Sequence, residues 1–127
     1  MKDLSRSLPE LQKQAHDIAN KNGFWDTFSL YYDTPEVLHR DVTTKLALIA
    51  DEAHEALSEL RSHEFDQAAA DSGNYTGQLP PEFGEELADI VIRTLDLAEG
   101  LRIDLESYVV AKIDKNRGRP RKHGKNF

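Results

Sequence analysis

The chain has 127 residues, a net charge of −7 and no cysteine. This length suits a single domain, and the lack of thiols excludes disulfide frameworks, cysteine nucleophiles and cysteine-ligated zinc sites. The N-terminus has no apolar secretory core, and no apolar run approaches the roughly 20 residues that cross a bilayer. We therefore expect one cytoplasmic domain over residues 1–127, with no membrane partner.

The N-terminal segment predicts a helix followed by a loop. Ser7 and Glu10 have the spacing of a capping box, so a helix is expected over residues 8–21. Gly23 is the expected stop. Residues 23–33 are rich in aromatic side chains and have no clean period, which favours a loop packed on the body.

The middle of the chain predicts a long helix and a second loop. Pro35 suits the first helical position, and apolar residues then recur at spacings of three and four up to about residue 61. Residues 62–80 are polar and contain two glycines, so we expect a mobile loop there. A loop of this length in a small domain is often functional.

The last third predicts two further helices. One is expected from about residue 81 to Gly100, and another from the capping residue Asp104 to about residue 116. The last helix should turn four apolar residues inward, namely Leu105, Tyr108, Val109 and Ile113. No alternating β-branched pattern competes, so the sequence predicts an all-α chain with a four-helix arrangement.

The charge is divided unevenly between this helical body and its end. The basic C-terminal tail, residues 112–127, holds seven Lys and Arg residues against one Asp, a net charge of +6 that leaves −13 on residues 1–111. Such a tail suits a nucleic acid, a phosphate-bearing ligand or an acidic surface of a neighbouring chain. Composition alone does not choose among them.

Two carboxylate pairs lie near the middle of two predicted helices. Glu52 and Glu55 are three residues apart, as are Glu86 and Asp89, so each pair can point into the same gap. Four converging carboxylates would raise one another's pKa unless a cation lay among them. Oxygen ligands suit Mg²⁺ or Mn²⁺, although Glu pairs at this spacing are also common on solvated helix faces.

These acidic blocks resemble a known family signature. Asp51, Glu52 and Glu55, followed by Glu86-Leu-Ala-Asp89, are similar to the split EExxE and ExxD motifs of the MazG-like, all-α nucleoside triphosphate pyrophosphohydrolases. The resemblance extends from about residue 46 to the C-terminus. The chain departs from the pattern at Asp51, where the family has Glu, and the shorter side chain loses about one methylene of reach.

The resemblance implies a fold, a reaction and an assembly. It implies a four-helix MazG-like bundle that hydrolyses a nucleoside triphosphate to the monophosphate and pyrophosphate, and that forms a homodimer or homotetramer. Mg²⁺, or alternatively Mn²⁺, would bind to Glu52, Glu55, Glu86 and Asp89. Glu55 or Asp51 would orient the attacking water.

Substrate-binding residues are expected on the last helix. Lys112, Lys115, Asn116 and Arg117 resemble the family positions that reach the phosphates and the nucleoside. The alternative is a solvated helix end that favours cations through the helix dipole.

Three other residues are candidates for the substrate. Arg93 can contact phosphate or pair with Asp89 one turn earlier, and Lys45 lies two turns before Glu52 or is a surface lysine. Trp25 can stack on a base or pack in the core.

Two further interpretations stay open. The chain can be a non-catalytic helical regulatory or nucleic-acid-interacting protein that keeps the fold, although the acidic body disfavours a nucleic-acid partner. Glu36 and His39 also form an ExxH motif, which di-iron bundles carry twice together with further glutamates. Here its only counterpart, Asp51 with His54, is a poor match.

Overall fold

The computed structural model describes residues 4–27, 34–64, 66–73 and 79–121, and within these ranges every regular element is a helix. The helices are α1 Leu8–Lys21, α2 Pro35–Ser62, α3 Gln67–Asp71, α4 Phe83–Gly100 and α5 Leu105–Arg117. The prediction of an all-α chain with four main helices is confirmed for this part of the chain. None of the described helices combines the length and apolar character that a membrane span requires.

Local interactions at each end of α1 explain where the helix begins and where it ends. Ser7 Oγ accepts a hydrogen bond from the Glu10 backbone N–H at 3.3 Å, so the predicted cap and the predicted range are confirmed. At the other end Gly23 has a φ of 87°, a left-handed conformation that glycine adopts without strain. This turn lets the Phe24 N–H bond the Ala19 carbonyl oxygen at 3.1 Å.

Helix α4 is the centre of the fold, because α1 packs on one part of it and α2 on another. Among the described residues the buried apolar side chains are few, namely Leu95, Leu97 and Ala98 in the C-terminal half of α4, Ala56 of α2, and Trp25. Gln12 of α1 is also buried, and its amide donates to Glu99 Oε2 and to the Ile103 carbonyl oxygen. These bonds tie α1 to the end of α4.

A short helix interrupts the segment that we predicted as a mobile loop. Residues 67–71 form α3, so that prediction is wrong for these residues. The run of three alanines explains the difference, because alanine has the highest helix propensity. Gln67 Nε2 also donates to Asp71 Oδ1 at 2.7 Å, one turn later.

Helix α5 has its main contact with α1 and buries none of its residues. Asp104 caps it as predicted, with Oδ1 accepting the Ser107 N–H at 3.3 Å. The prediction that Tyr108, Val109 and Ile113 point inward is wrong for the single chain, where Tyr108 is 69% exposed and Ile113 49% exposed. The periodic apolar face is present, but most of its side chains stay exposed in the single chain.

Candidate metal centre and adjoining cleft

Packing of α2 on α4 brings three of the predicted carboxylates together. Oxygens of Glu52, Glu86 and Asp89 all lie within 4.8 Å of one another. Two oxygens on opposite sides of one Mg²⁺ are at most about 4.2 Å apart, so small side-chain rotations would close this group around an ion. The donor set is three hard oxygens, which suits Mg²⁺ or Mn²⁺. The residues present therefore fit the predicted metal.

Glu86 has the electrostatic character expected of a ligand without its cation. Partial burial raises the pKa of this carboxyl, and the charges of neighbouring carboxylates raise the pKa further; these are Glu59, Glu55, Asp89 and Glu52. Its Oε2 atom is buried, and no group among the described residues donates a hydrogen bond to it. A cation would supply both the missing partner and the missing charge.

The other two acidic residues of the first motif lie at the edge of this group. Glu55 is exposed and outside the group of three, but its effect on the pKa of Glu86 places it beside the cluster. Asp51 is exposed on α2. Because it precedes Glu52 by one residue, its side chain is rotated by about 100° around the helix axis.

Arg93 makes an ion pair with the cluster. Its Nε donates to Glu52 Oε1 at 2.6 Å, from α4 to α2. Among the described residues Arg93 therefore pairs with Glu52 of α2 and not with Asp89, which lies one turn earlier on its own helix. Glu52 is only 8% exposed, so the guanidinium compensates a carboxylate that would otherwise be buried without a counter-charge.

A cleft of about 280 Å³ extends from the cluster towards α1. Its charged lining is Glu52, Asp89, Arg93, Lys45 and Asp96, and its apolar lining includes Ile18, Phe24, Leu48 and Ile92. The cleft therefore has an acidic end with cations beside it and an apolar end. Such a combination can accept a ligand with a charged part and an apolar part.

Lys45 is held in place at the middle of this cleft. Its ammonium lies 4.3 Å from the centroid of the Trp25 ring, a cation–π contact, and donates to the Phe24 carbonyl oxygen. Burial lowers the pKa of Lys45, and the charge of Arg93 lowers the pKa further, while Asp96 and Asp41 oppose these effects. The lysine is thus positioned before any ligand arrives.

Trp25 lies behind the cleft wall. It is 8% exposed, and its Nε1 donates to Asp96 Oδ1 at 2.8 Å. The same oxygen lies 2.9 Å from His16 Nδ1, and the His16 ring meets the Trp25 ring edge-on. A Cβ at Gly100 would overlap the Trp25 ring. The structure therefore places Trp25 where it packs α1 against α4 and supports Lys45.

The predicted substrate residues of α5 lie on a different surface. Lys112 and Asn116 line a shallow groove together with Tyr108, Val109 and Ile113. Arg117 pairs with Asp114 in the same helix, with a 3.5 Å distance between Nη1 and Oδ1. None of Lys112, Lys115, Asn116 and Arg117 is among the residues that line the carboxylate cleft. One chain does not bring them to the carboxylate cluster.

Two residues near the site, Glu59 and His16, were not predicted from the sequence. Glu59 raises the pKa of Glu86 more strongly than any other charge does, and its position seven residues after Glu52 indicates the same helix face. The contact of His16 with Asp96 could not be predicted, because the two residues are 80 positions apart in the sequence. Only the helix spacing of Glu59 offered a signal that could have been used.

Comparisons with protein-family models, with curated proteins and with solved structures gave no significant match to this chain. The resemblance of the acidic blocks to the MazG-like enzymes therefore stays a prediction from the motifs. The features that bear on function are the carboxylate cluster, the two cations Arg93 and Lys45, and the cleft.

Proposed function

We propose that this chain is a metal-dependent nucleoside triphosphate pyrophosphohydrolase of the MazG-like type. The observation that carries the proposal is the meeting of Glu52, Glu86 and Asp89 at the end of a cleft that also presents Arg93 and Lys45. Carboxylates suit a divalent ion, and cations that line the same cleft suit phosphate oxygens. A triphosphate chelated to an ion needs both kinds of group.

The three clustered carboxylates would hold Mg²⁺ or Mn²⁺, and Glu55 would join them by rotating its side chain from the edge of the cluster. When bound, the ion would screen the carboxylates from the triphosphate and lower the pKa of a coordinated water. Without it, the acidic end of the cleft would repel the substrate.

The residues of the chain would then position the substrate and the water. Arg93 and Lys45 would bind phosphate oxygens, and the apolar end of the cleft would accept the nucleoside. Water oxygen forms a bond to the α-phosphorus, the bond from that phosphorus to the bridging oxygen breaks, and pyrophosphate leaves with the electron pair. The water proton passes to a carboxylate and then to solvent. Glu55 is the better placed base, because it lies close enough to Glu86 to raise the pKa of that carboxyl, and Asp51 has no such effect.

We further propose a homodimer or homotetramer in which α5 of one subunit approaches the cleft of another. Its support is the apolar surface that the single chain leaves exposed, both on α5 at Tyr108, Val110 and Ile113 and on α4 at Leu87 and Val91. Surfaces of this kind on a small protein mark association sites. Such an arrangement would bring the basic residues of α5 to the phosphates that bind beside an acidic cluster.

A nucleotide screen tests the proposed reaction. Purified protein with Mg²⁺ should release pyrophosphate and the nucleoside monophosphate in equal amounts from at least one nucleoside triphosphate, and chelation of the metal should stop the release. Orthophosphate as the product, or no metal-dependent release from any common ribo- or deoxyribonucleotide, would contradict the proposal. Salt-sensitive binding of RNA or DNA in that case would favour the non-catalytic alternative.

A further inference from the structure

The pair between Arg93 and Glu52 shares the Glu52 carboxylate with the proposed metal centre. Arg93 Nε lies 2.6 Å from Glu52 Oε1, and the two side chains are 34% and 11% exposed, respectively. The carboxylate is therefore the more buried partner, while the guanidinium also lines the open cleft. Glu52 gains its compensating charge from a residue that has room to move.

A divalent ion and this guanidinium compete for the same buried charge. An ion bound to Glu52 would lie within a few ångströms of the guanidinium, and two like charges at that distance repel. Glu52 would then be compensated by the ion, so it would no longer require Arg93. Because guanidinium binds phosphate with two parallel hydrogen bonds, the released side chain has an obvious partner in a cleft that accepts phosphates.

From this geometry we infer that Arg93 is a displaceable counter-ion that couples metal binding to phosphate binding. In the metal-free protein it neutralises Glu52, and it moves to the phosphates of the nucleotide when the metal takes its place. The inference rests on the proposed function, since it assigns Arg93 a role in that same site. It makes Arg93 a substrate-binding residue whose metal-free and substrate-bound partners differ.

A purely structural role for Arg93 and a competing role predict opposite changes in the metal affinity of Arg93→Gln. If Arg93 only held Glu52 in the geometry for the metal, Arg93→Gln would weaken metal binding. If Arg93 competes with the metal, Arg93→Gln should strengthen Mn²⁺ binding, by about tenfold if the coupling is typical of interacting sites. The sign of the change therefore separates the two roles.

The first experiment measures Mn²⁺ binding without nucleotide, from the loss of the free Mn²⁺ signal in electron paramagnetic resonance. Arg40→Gln is the matched control, because Arg40 also pairs with a buried carboxylate of α2, that of Asp41. Arg40 precedes Glu52 by 12 residues, about 18 Å along the helix, so its loss should leave Mn²⁺ affinity unchanged. Arg93→Lys keeps the charge and should keep the affinity close to that of the unmodified protein.

The second experiment measures binding of inorganic tripolyphosphate at saturating Mg²⁺ by calorimetry. Arg93→Gln should weaken this binding by about tenfold or more, and Arg93→Lys should weaken it less. Tripolyphosphate has no base, so the result does not depend on which nucleotide the protein prefers. Neither experiment requires turnover.

Circular dichroism and thermal melting keep the test valid if Arg93→Gln lowers stability. The variant leaves Glu52 buried without its counter-charge, so its metal-free Tm should fall, and Mn²⁺ should raise its Tm more than that of the unmodified protein. Unchanged or weaker Mn²⁺ binding by Arg93→Gln, with normal binding by the unmodified protein, would overturn the inference alone. No Mn²⁺ binding by the unmodified protein would overturn both the inference and the proposed metal centre.

Discussion

The contact between α2 and α4 buries Glu52 and brings Glu86 and Asp89 close to it, whereas α5 leaves its basic side chains and most of its apolar side chains exposed. At the first region Glu52 is 8% exposed and has a partner 2.6 Å away. At the second region no residue is buried, and Val110 is 54% exposed. Under the proposed function, one chain would hold the metal ion and a neighbouring chain would supply groups that bind the nucleotide.

The largest expected effect comes from removing a metal ligand. Glu86→Gln should lower pyrophosphate release by more than about 100-fold, because it deletes one of three clustered carboxylates. The effect should exceed that of losing a residue that only supports a ligand. The helical content should not change. Glu85→Gln is the matched control, since Glu85 is exposed and has the same charge on the same helix. Comparable activity of the two variants at limiting Mg²⁺ would show that the cluster is not the site.

Truncation after Ile113 tests the second region of the comparison. Loss of Lys115, Asn116 and Arg117 should raise KM by about tenfold at low salt while Mn²⁺ affinity stays unchanged, because these residues are proposed to face the nucleotide. The difference in KM should shrink as ionic strength screens the charges. An unchanged KM at low salt would instead assign the tail to assembly or to another partner.

The proposed contact between subunits is tested by a charge on the exposed face of α5. The unmodified protein should sediment with at least twice the chain mass of 14.4 kDa, and Val110→Asp should shift it towards that single-chain mass with a parallel rise in KM. Glu106→Gln, on the same helix, should leave the mass unchanged. A fully active monomer of the unmodified protein at micromolar concentration would require a site that one chain completes.

A smaller effect is expected from pH, through the raised pKa of Glu86. A carboxyl whose pKa is raised by folding stabilises the folded protein at pH values below its unfolded-state pKa. That stabilisation is lost as the pH rises through the folded-state pKa. In metal-free protein the Tm of Glu86→Gln should therefore exceed that of the unmodified protein by an amount that grows from about pH 4 to 7. Thermal melts across this range check the trend, and Glu85→Gln should show none.

Periodicity and end signals were sufficient to predict the four long helices, α1, α2, α4 and α5. Ser7 and Asp104 cap the helices that they were expected to cap, because capping depends on residues within one turn. Helix α3 was missed because the polar composition of its surroundings outweighed a three-alanine run. The inward face assigned to Tyr108 and Ile113 was wrong because an apolar stripe predicts burial without saying whether the partner is in the same chain.

The candidate site was predictable only in part. The spacing of Glu86 and Asp89 placed both on one face of a helix, but the pairing of Arg93 with Glu52 depends on how α2 and α4 pack. The support of Lys45 by Trp25, and of Trp25 by Asp96, likewise joins residues from distant parts of the chain. Such contacts follow from the tertiary structure and leave no local pattern in the sequence.

Anomalous diffraction from crystals soaked in Mn²⁺ would test whether Glu52, Glu86 and Asp89 form a divalent-metal centre. We expect one strong manganese peak between α2 and α4, with oxygens of all three carboxylates within bonding distance, about 2.2 Å. The peak should disappear in Glu86→Gln crystals and persist in Glu85→Gln crystals. A fully occupied manganese site elsewhere in the chain, with no peak between α2 and α4, would show that these three carboxylates are not the metal centre.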